Sequence, residues 1–123
     1  SFIWNSHKEI EGSEYPETVV KNKEFRSSKW RAVHLQTFKF FLFKKINFED
    51  FKQEDEWIRY SYDRGIMYPM LEMCSPDKII FIDDVLYVYN SENPLCVGKI
   101  YKNEQINNEK FFNSLPKYKE LII

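Results

Sequence analysis

Residues 55–73 read DEWIRYSYDRGIMYPMLEM, and the period of the apolar side chains in this stretch decides the fold class. Ile58, Tyr62, Ile66, Met70 and Met73 recur at steps of four, four, four and three, which lines them along one helical face. Glu54, Asp55 and Glu56 stand in front of them, where a helix dipole favours carboxylates. The spacing therefore predicts a helix from Glu56 to Met73. Two residues oppose it. Pro69 lacks a backbone donor and crowds the carbonyl of Gly65, so a break or kink is expected between them. Ser75-Pro76-Asp77 supplies the stop signal. Met67, Met70 and Met73 read as core packing, and Glu72 as a helix residue that fixes packing or a cap. Asp63 stands out as an acidic side chain inside a helix otherwise committed to the core.

Working outward, Phe2-Ile3-Trp4 is a short apolar run with the character of a buried strand. Residues 5–29 are polar, hold Gly12, Ser13 and Pro16, and read as a long loop or weak hairpin. Trp30–Gln36 alternates like a strand buried on one face. Thr37 is placed to cap a helix in which Phe38, Phe41, Leu42 and Ile46 share a face. Lys44 and Lys45 fall in its last turn; with Lys39 they read as a solvated helix end in preference to a contact for lipid or nucleic acid, with membrane-surface association through residues 39–46 as the weaker option. Asn47–Asp55 is an acidic connector. Downstream, Lys78–Ile82 and Val85–Tyr89 read as strands around a turn at Asp83-Asp84. Asn90–Pro94 is turn chemistry, and a further helix is expected near Asn107–Leu115. The sum is one α/β domain spanning residues 1–123, a mixed sheet with flanking helices.

Bulk composition excludes several functions. A chain of 123 residues makes one modest domain. Its 43% apolar content can bury a core, and the 18% aromatic share suits either that core or a surface that stacks on flat ligands such as sugars. A net charge of −1 gives the chain as a whole no field for nucleic acid or for an anionic membrane. Three glycines leave no room for a Gly-rich phosphate loop. Cys74 and Cys96 lack CxxC spacing and a neighbouring His cluster, so two buried thiols in a reducing, cytoplasmic compartment are expected in place of zinc or a disulfide. No apolar run approaches the ~18 residues of a membrane span. Neither His7 nor His34 has metal-pair spacing, and no GxSxG or Cys–His arrangement is present. The start at Ser1, with an apolar run immediately behind it, is expected of a fragment entered in the middle of a domain.

Three runs carry a family resemblance: HLQTFKFFLFKKI (residues 34–46), DRGIMYPMLEM (residues 63–73) and FIDDVLYVYNSENP (residues 81–94). In this order and spacing the chain resembles the C-terminal, acceptor-side half of family-two-like GT-A glycosyltransferases, in particular procollagen galactosyltransferase-like bacterial and viral enzymes. Those proteins pair a W…HLxTFK segment with a D-x-A-x-M-x-P-M-L-E-M helix and an F-I-x-x-x-L-Y-x-Y-N strand. The tail LPKYKEL (residues 115–121) also resembles the family's ending.

The resemblance implies inverting transfer of a sugar from a nucleotide sugar to an acceptor hydroxyl of a glycan or protein. The general base falls on Asp63. The broader family often carries Glu-Asp at this point, whereas here Tyr62-Asp63 stands there and Glu54-Asp55 lies upstream, so Asp55 is the other candidate. His34 would hydrogen-bond the diphosphate or the acceptor, as the neighbour of Asp63 across the cleft. Trp30 and Trp57 would stack on a sugar ring, with Tyr62 as a further substrate contact. The nucleotide-binding half, with an Asp-x-Asp motif holding Mn²⁺ or Mg²⁺, would precede Ser1; Asp83-Asp84 is not that motif, and no cofactor site is expected within these residues. A half-domain of this kind would expose strand edges and apolar faces and is expected to self-associate. The alternative is an aromatic-rich protein- or glycan-binding module without chemistry.

Overall fold

In the computed structural model the chain is described over residues 2–4, 9–88 and 93–122, with the backbone path alone for residues 2–4 and 9–11, Val85, Val97 and Gly98. The expected features at His7, Tyr89, Asn90–Glu92 and Ile123 lie outside the described residues. Helix α3, Tyr62–Met73, forms the centre: Gly65 and every residue from Met67 to Met73 are buried. It begins six positions later than the period predicts. Glu54 and Asp55 both take left-handed φ, 54° and 64°, and form the two-residue turn of a hairpin. Its strands are β3 (Lys52–Gln53) and β4 (Glu56–Trp57), with Lys52 opposite Trp57 and Gln53 opposite Glu56. The acidic triplet thus belongs to a hairpin and not to a helix start. A further left-handed residue, Ser61, turns the chain into α3.

The break expected at Pro69 is also absent, and α3 runs through it. Pro69 is fully buried among buried neighbours, so packing outweighs the lost backbone bond. Gly65 marks the crossing of helix α5 (Lys102–Ser114). A Cβ there would lie 2.4 Å from Cε1 of Phe112, a distance only a glycine permits without movement. The last helix thus begins five residues before the predicted span 107–115 and ends at Ser114, one short of it; a short helix α4, Val97–Ile100, precedes it.

Three other expectations fail for local reasons. Residues 30–36 form no strand; Arg31 N–H donates to the Tyr15 hydroxyl at 3.1 Å and Val33 N–H to the Arg31 carbonyl at 2.9 Å, which diverts donors a ladder needs. Thr37 caps nothing, because helix α2 is only Phe40–Phe43 with Lys39 at its N-cap. One turn cannot hold a stripe from residue 38 to 46, so Leu42 and Ile46 are buried while Phe38 and Phe41 are exposed. Residues 79–82 follow a 3-10 turn, Pro76–Lys78, as irregular chain with Ile80 and Ile82 exposed.

The small sheet has the order β2-β1-β5. Strand β1 (Phe2–Trp4) runs antiparallel to β2 (Glu9–Glu11) and parallel to β5 (Val85–Val88). Residues 5–29, expected as a long loop or weak hairpin, supply β2 alone to this sheet, and its partner β1 lies outside that stretch. The same stretch goes on to helix α1 (Glu17–Asn22) and a 3-10 turn at Phe25–Ser27, neither of them expected. The architecture is mixed helix and small sheet, α/β in the broad sense.

The core is tied by a buried ion pair whose carboxylate has no access to water. Glu72 has 0% exposed surface, and its carboxylate accepts from Arg26 Nε and Nη2, both at 2.8 Å, and from the backbone N–H of Tyr118 at 3.1 Å. Arg26 gives Nη1 to the Phe112 carbonyl at 2.8 Å and lies over the Tyr68 ring. The segment 116–121 closes over this knot. Leu121 N–H donates to the Met73 carbonyl at 2.9 Å, the Tyr118 hydroxyl donates to Asp50 and accepts from Asn47 N–H, and Glu120 pairs with Lys23 at 3.2 Å. Lys23 in turn donates to the Cys74 carbonyl at the C-cap of α3.

Candidate functional site

Asp63 occupies the first turn of α3 and is half-buried. The turn is held from both sides. Ser61 Oγ donates to the Gln105 carbonyl of α5 at 3.2 Å, and the next residue along, Arg64, pairs with Glu109 at 3.5 Å. The Arg64 guanidinium also lies 5.2 Å from the centroid of the Trp30 ring and donates to the Tyr68 hydroxyl at 3.4 Å. Arg64 is therefore engaged elsewhere, and among the described residues Asp63 itself takes part in no ion pair or hydrogen bond with another side chain. It is a carboxylate on a rigid element with free acceptor capacity.

The other expected site residues are not gathered round it. Trp30 is half-buried, edge-on to Tyr68 at 5.3 Å and covered by Arg64, so its ring is spent on packing and does not lie open for a sugar. Tyr62 is exposed beside Asp63. Trp57 is exposed on the β3–β4 hairpin, with Lys52 Nζ 4.6 Å from its ring centroid. His34 is exposed and stacks on Tyr87 of β5 at 5.0 Å and 20°, whereas the start of α3 is tied to Gln105 of α5. The expected opposition of His34 and Asp63 across one cleft is not formed by any contact between them. Asp55 is an exposed residue of the hairpin turn.

A hollow of about 710 Å³ lies between residues 13–21, residues 31–37 and the irregular chain 76–82, with Met67 and Leu71 of α3 on its floor. It contains none of the five expected site residues. A second, shallow hollow between the hairpin and α5 is lined by Glu54, Glu56, Glu104 and Lys110. Among the described residues no group of three His, Cys, Asp or Glu side chains converges in a way that could hold a metal ion.

The residues that the reading from sequence missed are Arg26 and Tyr118. Nothing in their spacing marks them, since the knot joins positions 46 apart on either side of Glu72. Burial, and then the hydrogen bond to Asp50, push the Tyr118 hydroxyl up to about 12. Burial likewise raises the Tyr15 and Tyr68 hydroxyls and the Cys74 thiol. These groups stay protonated and structural at neutral pH. Cys74 and Cys96, both half-buried, form no disulfide.

Comparison with models of known protein families, with curated proteins and with solved structures finds no match for this chain.

Proposed function

We propose that this chain is the acceptor-side half of a nucleotide-sugar-dependent glycosyltransferase of GT-A type, with Asp63 as general base. The observation that carries the reading is the state of Asp63: a half-buried carboxylate on the first turn of the most buried helix, fixed by neighbours and committed to none of them. A general base needs such placement within reach of the proton it takes. In the proposed step the acceptor hydroxyl attacks the anomeric carbon while Asp63 accepts its proton. The bond from that carbon to the nucleoside diphosphate breaks, the leaving oxygen keeps the electron pair, and configuration inverts. Tyr62, exposed next to Asp63, is the nearest candidate for contact with the acceptor. In this reading the nucleotide sugar and its Mn²⁺ or Mg²⁺ are held by sequence outside these 123 residues, and the enzyme works in a cytoplasmic, reducing compartment. The outer edge of β5, at the end of the sheet with Leu86 and Val88 exposed, is where copies of the isolated chain would pair.

The test uses the protein that contains this chain together with its nucleotide-binding half. Asp63→Asn is expected to lower transfer by about 10²–10⁴-fold, the range for loss of a general base, while leaving nucleotide-sugar binding unchanged. Asp55→Gly is expected to leave transfer intact. Wild-type turnover by Asp63→Asn removes the assignment, and loss confined to Asp55→Gly moves the base to the hairpin. The alternative, a binding module without chemistry, rests on the exposed ring of Trp57. It predicts metal-independent glycan or protein binding by the chain alone, lost on Trp57→Ala.

A further inference from the structure

The residues between His34 and Phe51 leave a continuous run of aromatic rings in water. Phe40 is 67% exposed, Phe48 50%, Phe38 45% and Phe41 43%. They are not scattered. Phe38 and Phe40 each stack on the half-buried Phe43, at 6.3 and 5.9 Å between centroids. Phe43 meets Phe48 at 5.7 Å, Phe48 meets Phe51 at 6.1 Å, and Phe51 meets the buried Phe112 edge-on. The ladder is thus rooted in the core at one end and open at the other. Isolated surface phenylalanines need no explanation, but a contiguous apolar patch marks a surface that something covers.

Charge selects what covers it. Lys39, Lys44 and Lys45 are interleaved with these rings and all exposed. The nearby carboxylates are engaged: Glu49 pairs with Lys52 at 3.3 Å, and Asp50 accepts from the Tyr118 hydroxyl. Among the described residues none of the three lysines takes part in an ion pair, so the face presents them uncompensated around open aromatic rings. A second copy docking the same face on itself would set three cations against three. An anionic interface with an apolar layer beneath satisfies both features, because rings enter the boundary while lysine stems lie along it and hold their ammonium groups at the headgroups. We propose that the Phe38–Phe51 face seats this protein peripherally on an anionic lipid surface. It does so without a span, since among the described residues no helix is long and apolar enough to cross a membrane. The proposal does not depend on the glycosyl-transfer reading, because Asp63 takes no part in this face.

Co-sedimentation of the full chain with phosphatidylcholine vesicles, with and without about 30 mol % phosphatidylserine, tests it. Binding is expected only with the anionic lipid and should fall steeply between about 0.1 and 0.5 M salt. Reversing Lys39, Lys44 and Lys45 together to Glu should weaken it by about two orders of magnitude, and Phe40→Ser with Phe48→Ser by about tenfold or more at unchanged charge. A charge-matched control, Lys99→Glu with Lys102→Glu and Lys110→Glu, should bind like the parent. These positions are all exposed, and circular dichroism checks that each variant is folded. Absence of binding to the anionic vesicles overturns the proposal. So does an equal loss in the control triple, or indifference to the phenylalanines. Sedimentation showing a dimer through this face that vesicles do not compete away overturns it in favour of a second copy.

Discussion

Glu72 is a carboxylate with no contact with water, and its whole stability rests on three donors. Removing one partner from a buried ion pair costs more than the pair contributes, because the remaining charge is left without compensation. Arg26→Met is therefore expected to destabilise the fold by about 3–5 kcal/mol in equilibrium urea unfolding, and adding Glu72→Leu should recover much of that loss. No recovery in the double variant would show that packing around Arg26, including its contact with the Tyr68 ring, carries the effect. Tyr118 gives a pH prediction in the same knot. Its hydroxyl is raised to about 12 by burial and by the bond to Asp50, whereas an unfolded tyrosine ionises near ~10. A raised acid means that the folded state favours the neutral phenol. Its contribution is whole below about pH 10 and is lost as pH climbs through about 12. Tyr118→Phe should be less stable than the parent at pH 7–9, and the gap between the two should close from pH 10 to 12.

The β3–β4 hairpin shows an element whose turn chemistry contradicts its conformation. Two successive left-handed residues call for Asn-Gly, and this chain places Glu54-Asp55 there. Left-handed backbone costs an L-residue about 1–2 kcal/mol, so Glu54→Asn with Asp55→Gly should stabilise the protein by about 1 kcal/mol, read as a rise in Tm. The same mismatch explains why the start of α3 was illegible. Without Gly or Asn no turn is signalled, and three carboxylates ahead of a period-four apolar run mimic a helix N-terminus. The body of α3 was legible because its apolar period is real and every residue from Met67 to Met73 is buried. β5 was legible from its β-branched and aromatic run. Residues 30–36 were not, because their alternation is genuine but their donors are captured by Tyr15 and by a local carbonyl. Around α2 the spacing of Leu42 and Ile46 identified buried positions, and the same spacing misplaced Phe38 and Phe41.

At the scale of the whole molecule, the family resemblance pointed to Asp63, but its freedom from partners among the described residues depends on where Arg64 goes, and Arg64 goes to Glu109 on α5 and to Trp30. That arrangement joins three separated segments and has no local signature. The same holds for His34, which the resemblance set opposite Asp63 and which instead stacks on β5. The Arg26–Glu72–Tyr118 knot has a consequence for how the protein is made. Glu72 receives Arg26 from 46 positions before it and Tyr118 from 46 positions after it. At a translation rate of about 5–20 residues per second, a growing chain carries that carboxylate for roughly 2–9 s before its last donor has been synthesised. Helix α3 cannot settle into its final burial during that interval, so the growing chain holds its most buried helix open until the segment that closes it has been made.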